Sequence, residues 1–198
     1  MKIIGIVLAG GMSRRFGRPK AFAVYKEKYF YEWAKEALKP HTNELVIVSH
    51  PDLKKEFERN GDEHIEKDIA QFQGKGPLAG IYTVMKAYEG EWYAVLPCDT
   101  PKMNPLIMGK IKNFIREDVE AVVPVINGKF QPLIAMYHKR TQSIIGERLV
   151  EGDYRVSSLL DRCRVRWVTE KELQVDGEEF ENINDEIAFQ SLLDDREV

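Results

Sequence analysis

Residues 8–20 read LAGGMSRRFGRPK and directly follow a compact apolar run, residues 3–8, at the start of the chain. A short β-type run that breaks into paired glycines is what a strand looks like when it delivers its backbone to a ligand. Gly10 and Gly11 lack a Cβ, so the chain can turn sharply there and bring its N–H groups close to an anion. The same stretch carries Arg14, Arg15, Arg18 and Lys20, with Gly17 as a second flexible point. Backbone donors combined with several cations suit a triphosphate, because guanidinium offers planar forks and ammonium a mobile point charge. Two common nucleotide fingerprints are excluded. Walker A needs four residues between its glycines and then Gly-Lys-Ser/Thr, whereas Gly11 and Gly17 enclose five and Lys20 follows Pro19. The pattern G-x-G-x-x-G is absent. A plain strand-to-loop turn with a solvated basic face is the alternative, and four cations within residues 14–20 weigh against it.

The bulk numbers narrow the class. A chain of 198 residues, 43% hydrophobic and 31% charged, fits one globular domain, residues 1–198, with a sizeable core. A net charge of −3 supplies no global field toward nucleic acid or an anionic membrane, so any attraction for phosphate is local. The two cysteines, Cys98 and Cys163, form neither a metal spacing nor a disulfide framework, which points to a reducing compartment. No apolar run reaches the length of a membrane span, and the N-terminal run is too short for a signal sequence. The expected location is the cytoplasm.

Beyond the loop, residues 29–39 place Phe30, Trp33, Ala34, Ala37 and Leu38 at helical spacing, with Trp33 read as core. ELVIVS, residues 44–49, reads as a buried strand, followed by a charged helix from Pro51 to Asn60 closed by Gly61. Residues 64–68 form a short, weaker strand. This β, α, β, α, β order predicts a parallel sheet with right-handed crossovers. GKGPLAG, residues 74–80, opens a helix; its glycines can hold an anion or a base by backbone donors, or can serve as a simple connection. Residues 92–96 are another hydrophobic strand, running into Pro97, Cys98 and Asp99. Ligands gather beyond the carboxyl ends of such strands, and magnesium favours hard oxygens, so Asp99 is either a metal ligand or a cap for the next turn. Asn104-Pro105 starts a helix. Residues 120–126 and 131–137 flank Asn127-Gly128 as a hairpin, which makes the sheet mixed. His138 reads as a solvated strand-end residue, RVRWVT (residues 164–169) as a strand with a charged outer face, and Asn184 as the N-cap of a last helix carrying Ile187, Ala188 and Leu192.

Four separated motifs resemble those of nucleotidyltransferases of the molybdenum cofactor guanylyltransferase type. The N-terminal signature LAGGxSxRxGxxK is matched by Leu8, Ala9, Gly10, Gly11, Ser13, Arg15, Gly17 and Lys20. GPLAG is similar to the family's second fingerprint, which places Gly76, Pro77, Leu78 and Gly80 at the nucleotide base, and Asp68 matches a further nucleotide contact. PCDTP resembles the metal-binding strand end, which assigns Mg2+ to Asp99. The segment FENIN, residues 180–184, resembles a C-terminal motif whose asparagines sit near the active site, so Asn182 and Asn184 are acceptor-side candidates. Asp185-Glu186 stands here in place of the usual Thr-Pro.

The resemblance implies a Rossmann-like α/β fold of three layers around a mostly parallel, mixed sheet. It implies transfer of GMP from GTP to the phosphate of Mo-molybdopterin with release of pyrophosphate, Arg15, Lys20 and Asp99 being catalytic. Transient contact with proteins that deliver molybdopterin or mature molybdoenzymes is implied too, and neither nucleic acid nor membrane is an expected partner. The residues themselves do not separate guanine from cytosine. A cytidylyltransferase of the same fold therefore stays open, as does a non-catalytic nucleotide-binding or cofactor-carrier protein, against which a retained metal carboxylate argues.

Overall fold

In the computed structural model, which describes residues 1–11 and 16–194, the first apolar run is strand β1 (Ile3–Ala9). Ile4 and Ile6 join the core on one face of the sheet, and Ile3, Val7 and Ala9 join the core on the other. Burial on both faces is why this strand reads as a continuous apolar run rather than an alternation. A small hairpin, β2 (Val24–Tyr25) and β3 (Lys28–Tyr29), leads into α1 (Phe30–Leu38), β4 (Glu44–Ser49), α2 (Lys54–Arg59) and β5 (Ile65–Glu66). Then come α3 (Pro77–Ala87), β6 (Trp92–Pro97), α4 (Pro105–Lys112), β7 (Ala121–Ile126), β8 (Lys129–Phe130) and β9 (Ala135–His138). The chain continues with α5 (Thr141–Val150), α6 (Val156–Leu160), β10 (Val165–Thr169), α7 (Glu170–Leu173) and α8 (Glu186–Asp194).

Among the described residues the main sheet has eight strands, ordered β10-β7-β9-β6-β1-β4-β5, with β8 paired to β7. β1 runs parallel to both β4 and β6, whereas β9 is antiparallel to β6 and β7, so the sheet is mixed as expected. Helices α1, α2, α4 and α7 pack on one face and α3, α5 and α6 on the other, giving three layers. The chain moves from β1 to β4 and β5 on one side, then returns to lay β6 on the opposite side of β1. Such a reversal opens a crevice at the carboxyl ends of the central strands. The loop after β1 and the residues after β6 both emerge there.

Several expectations change in the structure. The second arm of the hairpin is interrupted: β8 pairs only Val125 with Phe130 and Ile126 with Lys129, and pairing to β7 resumes at Met136 and Tyr137. Pro132 lies in the gap and has no N–H to give the ladder, and Ile134 N–H turns back to Gln131 O at 3.0 Å. Trp33 is half-buried instead of core, its Nε1 donating to Tyr25 O at 2.9 Å. Ile187 is 81% exposed; Phe189 and Leu192 carry the buried face of α8.

His138 is buried at 7% exposure rather than solvated, lying edge-on to Trp92 with ring centroids 5.1 Å apart. Its Nδ1 accepts the Arg140 N–H at 3.2 Å. Burial, with Arg140 adding, lowers the imidazole below its ordinary 6.5, while Glu91 and Glu120 oppose the shift. Between the two values the unfolded chain binds more protons than the folded one, so stability rises with pH across that window and is lost on acidification. The unfolding free energy should therefore decline as the pH falls below 6.5. His138→Asn, whose carbonyl can take the same N–H, should flatten the decline in denaturant titrations.

Candidate active site

The crevice contains a cleft of about 520 Å³ walled by the ends of β1, β4 and β6 and by the start of α3. Leu8, Gly10 and Gly11 form one wall, and Asp68, Gly76, Pro77 and Gly80 another. Gly76 is the N-cap of α3 with φ +87°, a backbone conformation that costs a side chain strain, and Pro77 supplies the favoured first helical residue. Asp68 accepts the Gly74 N–H at 3.0 Å through Oδ2. Burial raises the Asp68 carboxyl above the usual aspartate range, with the Gly74 N–H and the nearby His50 pulling the other way. A cleft that mixes backbone N–H groups, one carboxylate and aliphatic walls is suited to a planar, hydrogen-bonding base.

Beside this cleft, at the end of β6, Lys20 Nζ donates to Asp99 Oδ2 at 2.8 Å, to Ile183 O at 3.1 Å and to Asn184 Oδ1 at 3.2 Å. Asp99 O accepts the Ile183 N–H at 2.8 Å, so residues 182–184 are docked against the strand end. Lys20 and Asp99 are 14% and 20% exposed, leaving the pair open at one side to solvent and to a ligand. Asn184 is accordingly not a helix cap; Asp185 caps α8, its Oδ1 accepting the Ala188 N–H at 2.9 Å. Cys98 is buried and its thiol is pushed up to about 12 by burial, with the Asp99 charge adding, so it offers no nucleophile.

Ala9 and Leu78 turn their side chains into the cores rather than the cleft, so either could reach a ligand only through its backbone. Ser13, Arg14 and Arg15 lie outside the described residues. Arg18 is directed at rings, its guanidinium carbon 5.7 Å from the Phe16 centroid and 5.4 Å from that of Phe189. Gly74, one of the glycines read as able to hold an anion or a base, lines the cleft too, whereas sequence reasoning missed His50 and Leu133, which also line it. His50 directly follows β4, so the strand-end rule could have found it. Leu133 is delivered by the interruption at Pro132, and a proline inside the 131–137 run is the local signal for it. A larger groove of about 720 Å³ runs past Trp33, Lys102 and Glu178, but it includes none of the glycine-loop residues, so its size does not make it the reaction site.

The family model described as the MobA-like NTP transferase domain matches residues 5–168. The chain belongs to this family. It is 43% identical over 192 residues to the "probable molybdenum cofactor guanylyltransferase" of Geobacillus sp. (strain WCH70), covering 97% of this chain and 98% of the relative. With the protein of the same name from Bacillus subtilis (strain 168) the identity is 44%, over 97% of this chain and 95% of the relative. Among solved structures, molybdopterin-guanine dinucleotide biosynthesis protein A from Archaeoglobus fulgidus shares the fold with a TM-score of 0.81 and 22% identity, covering 96% of each chain. Rv0371C from Mycobacterium tuberculosis, in complex with manganese, shares it with a TM-score of 0.69 and 15% identity, over 98% of this chain and 99% of its own.

This MobA-like protein is thus a nucleotidyltransferase, and the chemistry of its crevice matches such a reaction. It pairs a cation with a carboxylate at a strand end and leaves a base-sized cleft alongside. The family match ends at residue 168, yet Ile183 and Asn184, beyond it, both accept hydrogen bonds from Lys20 in this MobA-like chain. Arg164 lies just before β10 and Arg166 within it; they pair with Glu120 and Glu172, and Arg166 lies over the Phe114 ring at 5.1 Å, on the face of buried Val168 instead of an outer one.

Proposed function

We propose that the protein transfers GMP from GTP to the phosphate of Mo-molybdopterin, releasing pyrophosphate and forming molybdopterin guanine dinucleotide. The observation that carries this reading is the meeting of Lys20 and Asp99 at 2.8 Å beside the cleft formed by the glycine loop, Asp68 and the start of α3. An acceptor phosphate oxygen is already anionic and attacks the GTP α-phosphorus in line. The bond from that phosphorus to its bridging oxygen breaks, and pyrophosphate leaves with the electron pair. No general base is required, so the protein's work is positioning and charge stabilisation. Lys20 and Arg15 neutralise the triphosphate, backbone groups of Leu8, Ala9, Gly10 and Gly11 with Ser13 cradle it, and Asp68 with residues 76–80 holds the base. Asn182 and Asn184 face the acceptor.

Mg2+ fits the residues present. Among the described residues no cluster of three His, Cys, Asp or Glu offers a protein cage, whereas the partly exposed Asp99 suits an ion that takes its remaining oxygens from phosphates and water. Bound there, the ion supplies positive charge to the phosphate oxygens. The manganese complex of a protein of the same fold is in keeping with a divalent ion. One nucleotidyltransferase domain, residues 1–198, would carry both substrate sites. The two free cysteines and the absence of a helix long and apolar enough to cross a membrane, among the described residues, are in keeping with a cytoplasmic enzyme. There it would meet molybdopterin-delivering and molybdoenzyme-maturing proteins.

Isothermal titration with GTP, CTP and ATP, each with and without magnesium, tests the reading. GTP should bind most tightly and should need the metal for full affinity. Preference for CTP would move the protein to cytidylyl transfer, and binding without pyrophosphate release in the presence of acceptor would make it a carrier.

A further inference from the structure

Residues 16–20 are gripped at two points by the C-terminal segment. At the first, Phe16 is buried in a small third core with Phe30, Ile183, Phe189 and Leu192. Phe189 meets Phe16 edge-on at 5.3 Å and Phe30 at 5.7 Å, and Arg18 lies against both Phe16 and Phe189. At the second, Lys20 reaches Ile183 O and Asn184 Oδ1, while the Ile183 N–H is tied to Asp99 O. The start of α8 links the two grips, and its entry is set by the Asp185 cap. A lysine ammonium rides on a flexible stem, and holding that stem before the ligand arrives removes an ordering cost from binding.

We infer that α8 is a strap that presets Lys20 for the triphosphate, with Phe189 and Asp185 as positioning residues and Arg18 serving the strap instead of the phosphates. This rests on the proposed role of Lys20 toward the triphosphate. Stacking on rings is an established use of guanidinium, and Arg18 lies within reach of two of them. The base cleft takes none of its lining from α8, so the strap acts on the phosphate end of the nucleotide alone.

The test compares Kd values for GTP and GMP by isothermal titration in Phe189→Leu, Asp185→Ala, Arg18→Gln and the Phe189→Leu/Arg18→Gln pair. Phe189→Leu keeps an apolar side chain but loses the ring, and should raise the GTP Kd about tenfold while leaving GMP within about twofold. Asp185→Ala is the control for folding, since it leaves the third core intact. It removes a negative charge near the site, which by charge alone would tighten GTP binding; loss of the cap should weaken it instead. Arg18→Gln should weaken GTP, and the double variant should lose less than the sum of the two single losses, because both changes break the Arg18–Phe189 contact. Equal losses for GTP and GMP, unchanged GTP affinity in Phe189→Leu, tighter GTP binding in Asp185→Ala, or additive losses in the pair would each overturn the strap. Should the unaltered protein prefer CTP, the guanine reading fails, and the same series with CTP and CMP still decides the strap.

Discussion

Asp99→Ala should lower GMP transfer by on the order of 100-fold or more, about 3 kcal/mol of transition-state stabilisation, in an assay that follows pyrophosphate release. Asp99 is the carboxylate at the end of β6 that Lys20 touches, and in the proposed reaction it would border the place where charge shifts from the α-phosphate to pyrophosphate. Losing it removes the proposed metal ligand. It also removes the carboxylate that Lys20 Nζ meets at 2.8 Å. Asp99→Asn separates the two contributions: it keeps an oxygen for Lys20 and the local shape but not the negative charge. If the charge is what matters, Asn should be nearly as poor as Ala, and added magnesium should rescue neither. Near-normal turnover in Asp99→Ala would remove this residue from the mechanism. Near-normal turnover in Asp99→Asn would assign it to positioning of Lys20.

Gly80→Leu should abolish measurable GTP binding, a loss of about 100-fold or more in affinity, while the protein stays folded. A Cβ on Gly80 would lie 2.9 Å from Val48 Cγ1, 3.4 Å from Leu8 Cδ2 and 3.5 Å from Asp68 Oδ1. All three of those residues wall the cleft. Valine is stiff about χ1, so Val48 has little room to yield, and the rest of the leucine side chain must enter the space proposed for the base. Helix α3 itself gains, since replacing a mid-helix glycine contributes roughly 0.5–1 kcal/mol of helix propensity. Circular dichroism and thermal unfolding should therefore report a folded chain that no longer binds nucleotide. Gly80→Ala should fall between, at about tenfold. Unchanged GTP affinity in Gly80→Leu would show that the base binds elsewhere.

Much of this molecule is legible from its sequence because the deciding features are local. The run at residues 3–8 announces a strand buried on both faces. Gly10-Gly11 announce a turn at the strand end, Gly76 announces a backbone conformation that a side chain would strain, and the apolar stretch ending at Pro97 locates Asp99 at a strand end. Asn127-Gly128 gives the hairpin turn, and both residues take up the left-handed backbone such a turn requires, with φ of +50° and +68°. These are statements about period, backbone freedom and strand termini, and each is written in a few consecutive residues. The placement of Gly10, Asp68, Gly76 and Gly80 around one cleft follows from them only once β6 is known to lie beside β1.

That last step belongs to the tertiary structure. Lys20 and Asp99 are 79 positions apart, and Lys20 and Asn184 are 164 apart; nothing in either neighbourhood records the other. Their meeting depends on sheet order, which brings the ends of β1 and β6 together, and on a C-terminal segment that returns to the strand end. Local chemistry read Asn184 as a cap, and the neighbouring Asp185 took that role because the helix starts one residue later, freeing the amide oxygen for Lys20. Local chemistry also left His138 in water, but pairing of β9 against β6 sets it on Trp92 and buries it. Propensity and period determine which segments form elements and where they stop. Which side chains face one another across the strand ends is decided by packing, because burial and ion pairing are paid for only when distant segments close on the same space.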